Sequence, residues 1–387
     1  MKLIQRIKKF RHWLISSYWH ARPINNNKII LWTNNFTAYG DNPKYVAEYL
    51  LKHYTGDYDI VWVFDRNAEI PSDMPKEIRS IRYFSTEYLK EIATAKVVIC
   101  NARMKPYHYF DKRKGQYYIQ TWHSSLRLKK IEGDAHTLSE YYITAAKKDS
   151  ENIDLLISGC EFSTEIFKRA FWYDGEILKS GTPRCDGFFG DTSAVREKVY
   201  RHFGIDSSKK LVLYAPTFRE NKLPELYGMD LGMLGRALGE AWVIGCRLHP
   251  NLNAEVDGDM CIPMSRYPDM QELLVACDLL ITDYSSSMFD MAVAGKKCIL
   301  YIPDLESYCS NERGLYFAPD ELPFPKAENM GELCEIVKKL ETVCDGYGAF
   351  LEKVGSYEDG QAAKRVCERI VRVCDITKNK RIIRGKI

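Results

Sequence analysis

From Lys28 onward the chain alternates short, continuously apolar runs with amphipathic stretches, and the alternation starts afresh after a polar segment at residues 204–210. The first series is IILWT (29–33), DIVWVFD (59–65), SIRYF (80–84), KVVIC (96–100), QYYIQTWH (116–123), LLISG (155–159) and EILKSG (176–181). The second is LVLYAP (211–216), WVIGCRLHP (242–250), CIPM (261–264), LLITDYSS (279–286) and CILYIPD (298–304). Strands that are apolar on both faces must be covered on both faces, and helices between successive strands are the crossovers of a parallel sheet. The pattern therefore predicts an α/β chain of two Rossmann-like halves joined near residues 190–210. Helices are expected over 43–53, 86–94, 163–171 and 194–203. Those over 329–344 and 359–374 close the second half, the last being a candidate to cross back to the first.

The 387 residues, 45% of them hydrophobic, are enough for two cores of ordinary soluble composition. None of the twelve cysteines is in C-x-x-C spacing, and several (Cys100, Cys160, Cys246, Cys277, Cys298) fall in or beside apolar runs. They read as reduced core residues of a cytosolic protein, not as zinc ligands or disulfides.

The net charge of +3 conceals an asymmetry, for residues 1–40 carry seven Lys or Arg and no acid, and five more basic residues follow Asp375. The body between them nets −9. That balance excludes a basic nucleic-acid groove and suits contact with an anionic surface. Residues 2–19 place Leu3, Ile7, Phe10, Leu14 and Tyr18 at helical spacing, with Lys2, Arg6 and Lys9 on another face. Residues 1–22 are thus predicted as a basic amphipathic membrane-contact helix, the competing reading being a helix packed on the protein's own body. It is too charged to span a bilayer and lacks a signal-peptide cleavage pattern.

Ligands of open α/β sheets bind beyond the carboxyl ends of the strands, so the residues there are the candidates for chemistry. In the first half (23–195) they are Asn101; His123, Ser124 and Ser125; Gly159 and Glu161; and Gly181 to Arg184. In the second (196–387) they are Thr217, Arg219, Arg247, His249 and the turn Asp283 to Ser287. Ser287 and Asp290 have capping-box spacing, so a helix should start at the serines and offer free N–H groups and hydroxyls to a phosphate. Ser285, Ser286 and Ser287 could equally do no more than cap that helix. His123 and His249 each end a strand, where imidazole can accept a hydroxyl proton or neutralise phosphate, and the arginine fork suits a diphosphate. P-loop, G-x-G-x-x-G, G-x-S-x-G, H-E-x-x-H and strand-end D-x-D motifs are absent, so no metal site is predicted.

Five segments, QTWHSSLRLKKIEGD, SGTPRCDGFF, LYAPTFRE, RLHPN and DLLITDYSSSMFDMA, resemble in order the signatures of the CDP-glycerol glycerophosphotransferase family of teichoic acid and capsule biosynthesis. The resemblance runs from about Lys28 to Cys374. Where the family motif reads W-H-G-[ST]-P-L-K, this chain has Trp122-His123-Ser124-Ser125-Leu126-Arg127-Leu128-Lys129. The resemblance implies a GT-B fold, an acceptor domain over 23–195 and a donor domain over 196–387, facing a central cleft. It implies transfer of glycerol phosphate, or another alditol phosphate, from CDP-glycerol or CDP-ribitol to a hydroxyl of a lipid-linked glycan, with CMP leaving and no obligatory cofactor. Carried over by position, His123 is the general base and His249 binds the donor diphosphate. Thr217, Arg219, Arg247, Asp283 and Ser285 to Ser287 hold the same diphosphate, while Ser124, Ser125, Lys129 and Arg184 lie on the acceptor side. Such an enzyme would work as a peripheral protein on the cytoplasmic face of a bacterial membrane. The competing classes are a GT-B glycosyltransferase using a nucleotide sugar and a non-catalytic scaffold of the same fold.

Overall fold

The structure, a computed structural model, describes residues 2–33, 36–104, 110–136, 138–217, 226–248, 260–306, 308, 314–340 and 346–374, the side chains of 2–9 and 226 excepted. Seven strands form the first sheet: β1 (Asn25–Trp32), β2 (Asp59–Phe64), β3 (Arg79–Arg82), β4 (Ala95–Cys100), β5 (Tyr117–Gln120), β6 (Leu155–Ser158) and β7 (Glu176–Lys179). Their order is β3-β2-β1-β4-β5-β6-β7. The second sheet holds β8 (Lys210–Tyr214), β9 (Trp242–Cys246), β10 (Ile262–Pro263), β11 (Leu279–Thr282), β12 (Lys297–Tyr301) and β13 (Lys326–Ala327), in the order β10-β9-β8-β11-β12-β13. Every pairing between these strands is parallel. Both orders wind outward in two directions from an inner strand, which puts a topological switch point between β1 and β4 and another between β8 and β11.

Alternate residues of each strand feed opposite apolar layers. In the first sheet Ile30, Val61, Val63 and Val98 face one layer, and Ile29, Leu31, Trp62, Val97 and Ile99 the other. In the second, Leu211, Leu213 and Leu280 face one, and Val212, Tyr214 and Ile281 the other. The ten described cysteines are buried and free of disulfides.

The helices are α1 (Lys2–His20), α2 (Asp41–His53), α3 (Thr86–Thr94), α4 (Glu140–Asn152), α5 (Glu161–Ala170), α6 (Ser193–Phe203), α7 (Leu231–Leu238), α8 (Met270–Ala276), α9 (Ser287–Val293), α10 (Met330–Lys338), α11 (Tyr347–Lys353) and α12 (Ala362–Cys374). The last of these crosses back. Val366, Cys367, Ile370 and Cys374 enter the first sheet's core beside Val46 and Leu50 of α2. Further ties join the halves: Lys44 of α2 bonds Asp269 at 2.6 Å and Glu272 of α8 at 2.7 Å, and Arg184 bonds Asp290 of α9 at 2.7 Å.

Helix α1 leans on α3 by one side only. His12 meets Phe84 edge-on at 4.5 Å, Ile15 packs on the first core, and the Lys90 ammonium sits 5.5 Å from the Trp19 ring. Phe10 and Trp13, by contrast, are 60% and 59% exposed, and Leu14 and Tyr18 are exposed with them. Among the described residues no helix is long and apolar enough to cross a membrane.

Candidate active site

Strand β5 ends at Gln120, three residues short of the predicted His123, because the backbone there leaves the sheet for a tight turn. Gln120 Oε1 accepts the Trp122 N–H at 2.9 Å, and Trp122 adopts φ 50°, the left-handed region that non-glycine residues seldom occupy. The turn lays the Trp122 ring against the His123 imidazole at 4.5 Å and against Phe171 edge-on at 5.0 Å. Nδ1 of His123 is 3.0 Å from the Asn101 carbonyl oxygen. A carbonyl only accepts, so Nδ1 carries the proton and Nε2 of the neutral ring keeps a free lone pair. Burial lowers the His123 pKa, with Asp41 and the Asn101 carbonyl pulling it up and Arg184 and Arg127 pushing it down. A neutral imidazole at pH 7 is the form a general base requires.

Asn101, which holds His123, also lines a cleft of about 190 Å³, together with Thr33, Asp41 and Arg184 from the first half and Arg247, Asp269 and Gln271 from the second. Thr33 and Asn101 follow β1 and β4, so the cleft opens at the first sheet's switch point. Arg184, buried on the 3-10 turn after β7, bonds Asp290 at 2.7 Å and Asp41 at 3.5 Å. Arg247 Nη1 donates to the carbonyls of Tyr267 at 2.6 Å and Met264 at 3.3 Å. Burial brings the Arg247 pKa down to about 10, which leaves the side chain charged at neutral pH.

At the second switch point the Asp283 carboxylate accepts the Thr217 N–H at 2.9 and 3.0 Å and the Tyr284 N–H at 2.6 Å. Asp283 thereby shapes the rim between β8 and β11. Ser286 caps α9 without a side-chain bond, and Ser285 Oγ lies 3.3 Å from the Ser287 nitrogen and 2.9 Å from its hydroxyl. The predicted capping box does not form. Asp290 is drawn away from the helix start by Arg184 and by Gln271, whose amide donates to it at 3.3 Å. Arg219 and His249 lie outside the described residues.

The residues expected on the acceptor side are divided by the turn. The buried Ser124 accepts Arg127 on its carbonyl at 3.3 Å, and the carbonyl of the buried Ser125 accepts the Ser163 hydroxyl at 2.7 Å. Lys129 reaches across to the Tyr308 ring, 5.3 Å away, and Tyr308 stacks on Tyr284 at 3.6 Å, next to the serines of the second half.

Four further residues of this region escape a reading of motifs. Asp41 and Asn42, which open α2, give only the signal of a polar helix start before Pro43. Glu358 gives none: it is held by the Thr182 N–H at 3.0 Å and hydroxyl at 2.7 Å, and burial, opposed by bonds from Ser125 and Thr182, lifts its pKa to about 7. Arg127 stands over the Phe167 ring at 4.3 Å, with no bond to Nε or Nη1 among the described residues, and burial lowers its pKa to about 10.

Two doubly wound parallel sheets in one chain make an α/β fold of the TagF type. A histidine-to-asparagine variant of the wall teichoic acid polymerase TagF with CDPG superposes with a TM-score of 0.84 at 28% identity, over 98% of this chain and 99% of that one. The chain belongs to the CDP-glycerol:poly(glycerophosphate) glycerophosphotransferase family, whose model matches residues 14–372, and is an enzyme of that class in teichoic acid synthesis. It is 32% identical over 360 residues to the teichoic acid poly(glycerol phosphate) polymerase of Staphylococcus epidermidis, covering 86% of this chain and 48% of that protein. It is 30% identical over 372 residues to the polymerase of the same name from Bacillus spizizenii, covering 90% of this chain and 93% of that one. With the teichoic acid glycerol-phosphate transferase of Staphylococcus aureus the figures are 31% over 369 residues, 89% and 93%. The chain thus spans about half of the first relative and nearly all of the other two.

Proposed function

We propose that this chain transfers glycerol phosphate, or ribitol phosphate, from the CDP-alditol to a hydroxyl of a lipid-linked glycan or teichoic acid precursor and releases CMP. The arrangement would be of GT-B type, with the first half, completed by α12, presenting the acceptor and the second half holding the donor. The observation that carries this reading is the neutral His123, its Nδ1 held by the carbonyl of Asn101 and its Nε2 without a bond among the described residues, where Asn101 lines a cleft walled by Arg184 and Arg247. His123 takes the acceptor's hydroxyl proton as the oxygen attacks the β-phosphorus, and the bond to the CMP oxygen breaks. Charge gathers on phosphoryl oxygens in that transition state, where fixed cations and N–H groups supply most of the stabilisation. Arg247, Thr217, Arg219, His249 and the serines Ser285 to Ser287 are the donor-side groups, with Asp283 shaping the loop that carries them. Arg184, Lys129, Ser124 and Ser125 belong to the acceptor side and its supporting turn.

The test is CMP release from pure protein given membranes with CDP-glycerol or CDP-ribitol, set against UDP release from UDP-sugars. A CDP-alditol at a hundredfold excess over its Kd should also stabilise the fold by about 2.7 kcal/mol. Equal thermal shifts and UDP release with UDP-sugars would favour the glycosyltransferase reading; a CDP-alditol that binds without CMP release would favour the scaffold.

The same reading puts α1 against the cytoplasmic face of the membrane, with Phe10, Trp13 and Leu14 entering the headgroup region and the neighbouring cations meeting anionic lipid. The triple substitution Phe10→Ser, Trp13→Ser and Leu14→Ser leaves the contacts of His12, Ile15 and Trp19 with the body in place. Sedimentation with anionic vesicles should be lost, while Tm and turnover of a soluble acceptor stay at the wild-type level. Retained sedimentation would end the membrane assignment of this face.

A further inference from the structure

The opening of α2 reads Asp41-Asn42-Pro43, and its asparagine is fully buried with the whole amide spent on two other segments of the chain. Nδ2 donates to the Trp122 carbonyl at 3.0 Å and to the Thr121 carbonyl at 3.3 Å. Oδ1 accepts the Arg184 N–H at 3.0 Å. The two carbonyls belong to the peptides on either side of Trp122, the residue at φ 50° whose turn delivers His123. The N–H belongs to the residue whose guanidinium reaches Asp290 on α9, in the second half.

Each alternative side chain fails for a stated reason. Aspartate has no donor and would set a negative charge against two carbonyl oxygens, and alanine or leucine would strip the Thr121 carbonyl and the Arg184 N–H of this partner and leave the Trp122 carbonyl to the Thr121 hydroxyl at 3.0 Å. Only a primary amide on a short stem meets all three groups.

We propose that Asn42 is a positioning residue for phosphotransfer: it holds the Trp122 turn that presents His123 and keeps that turn in register with the Arg184 bridge to α9. The proposal rests on the reading of His123 as the base. Asn42 touches neither donor nor acceptor. Its effect passes through the orientation of the imidazole, so its removal lowers kcat and leaves the donor site intact.

The experiment is a double-mutant cycle on the full chain, with CMP release for kcat and calorimetry for the CDP-glycerol Kd, using Asn42→Ala, His123→Ala and the double variant. Asn42→Ala alone should lower kcat by ~10- to 10²-fold, the scale of a misplaced catalytic group, with Kd changed by less than ~2-fold. In the His123→Ala background the same substitution should cost less than ~2-fold further, because no base remains to be aimed. Asn42→Ser, which keeps a short neutral polar side chain and adds no buried charge, stands in if the alanine variant does not fold. The full single-mutant factor reappearing in the double variant overturns the proposal, as does unchanged kcat in the single variants or failure of both to fold. His123→Ala alone reports on the base: if it keeps full activity that reading fails first, whatever the cycle shows.

Discussion

Replacing His123 by alanine is expected to lower CMP release by ~10²-fold or more while CDP-glycerol still binds with near wild-type affinity. The separation follows from position. His123 is fixed by Asn101 and stacked on Trp122 in the first half, whereas the proposed diphosphate ligands Thr217, Arg247 and Ser285 to Ser287 come from the second. Loss of the base removes proton transfer and leaves the electrostatic stabilisation of the phosphoryl group in place. His249→Ala has the opposite signature. A histidine on the donor diphosphate contributes a charge-assisted hydrogen bond, so donor binding should weaken by about 1.5–3 kcal/mol together with turnover. Calorimetric Kd and steady-state kcat on the two variants separate the roles, and donor binding abolished by His123→Ala alone would reverse them.

The second large effect concerns stability. Arg184→Met should destabilise the protein by about 3–5 kcal/mol at pH 8, as expected when one partner of a buried ion pair is removed and the other stays charged. That partner, Asp290, is 1% exposed and would keep neutral donors, the Gln271 amide at 3.3 Å and the Cys185 thiol at 3.6 Å, with no cation to replace Arg184 among those bonds. Burial already raises the Asp290 pKa above the usual carboxylate value, against the pull of Arg184, so the substitution raises it further. A folded-state pKa above the unfolded one stabilises the fold below the unfolded value, and that contribution is lost as pH rises through the folded value. The deficit of Arg184→Met should therefore shrink as pH falls toward the carboxylate range, and Asp290→Asn on the same background should recover most of it. Urea denaturation across that pH range decides the matter. A deficit that ignores pH would mean that Asp290 is not the group left uncompensated.

The sheets are legible in the sequence because strands covered on both faces become unbroken apolar runs, as in Ile29 to Trp32 or Leu279 to Ile281. Among the described strands β13 alone falls outside the predicted runs, for it is two residues long and begins with lysine. The predicted strands overrun at their carboxyl ends because Thr121, Trp122, Arg247 and Leu248 look like more strand, while the backbone there has turned toward the cleft. His123 stands out as a candidate because a histidine at the end of a strand can be seen without knowing its partners. Asp290 was misread as half of a capping box because Arg184, 106 residues away in sequence, outcompetes the local backbone. Asn42 and Glu358 stayed hidden for a similar reason, their meaning lying wholly in distant carbonyls, N–H groups and hydroxyls.

The return of α12 to the first sheet also governs how such a chain is made. The face of that sheet bearing Ile29, Leu31, Trp62 and Ile99 is closed by Val366, Cys367 and Ile370, which a ribosome delivers only after the entire second sheet has been synthesised. A nascent chain carrying the first sheet alone presents a broad apolar face to solvent, and contacts this far apart in sequence form slowly. The proposed base and donor site thus become competent together, once α12 has been made, and a product cut anywhere before residue 362 would be a target for chaperones and not half an enzyme.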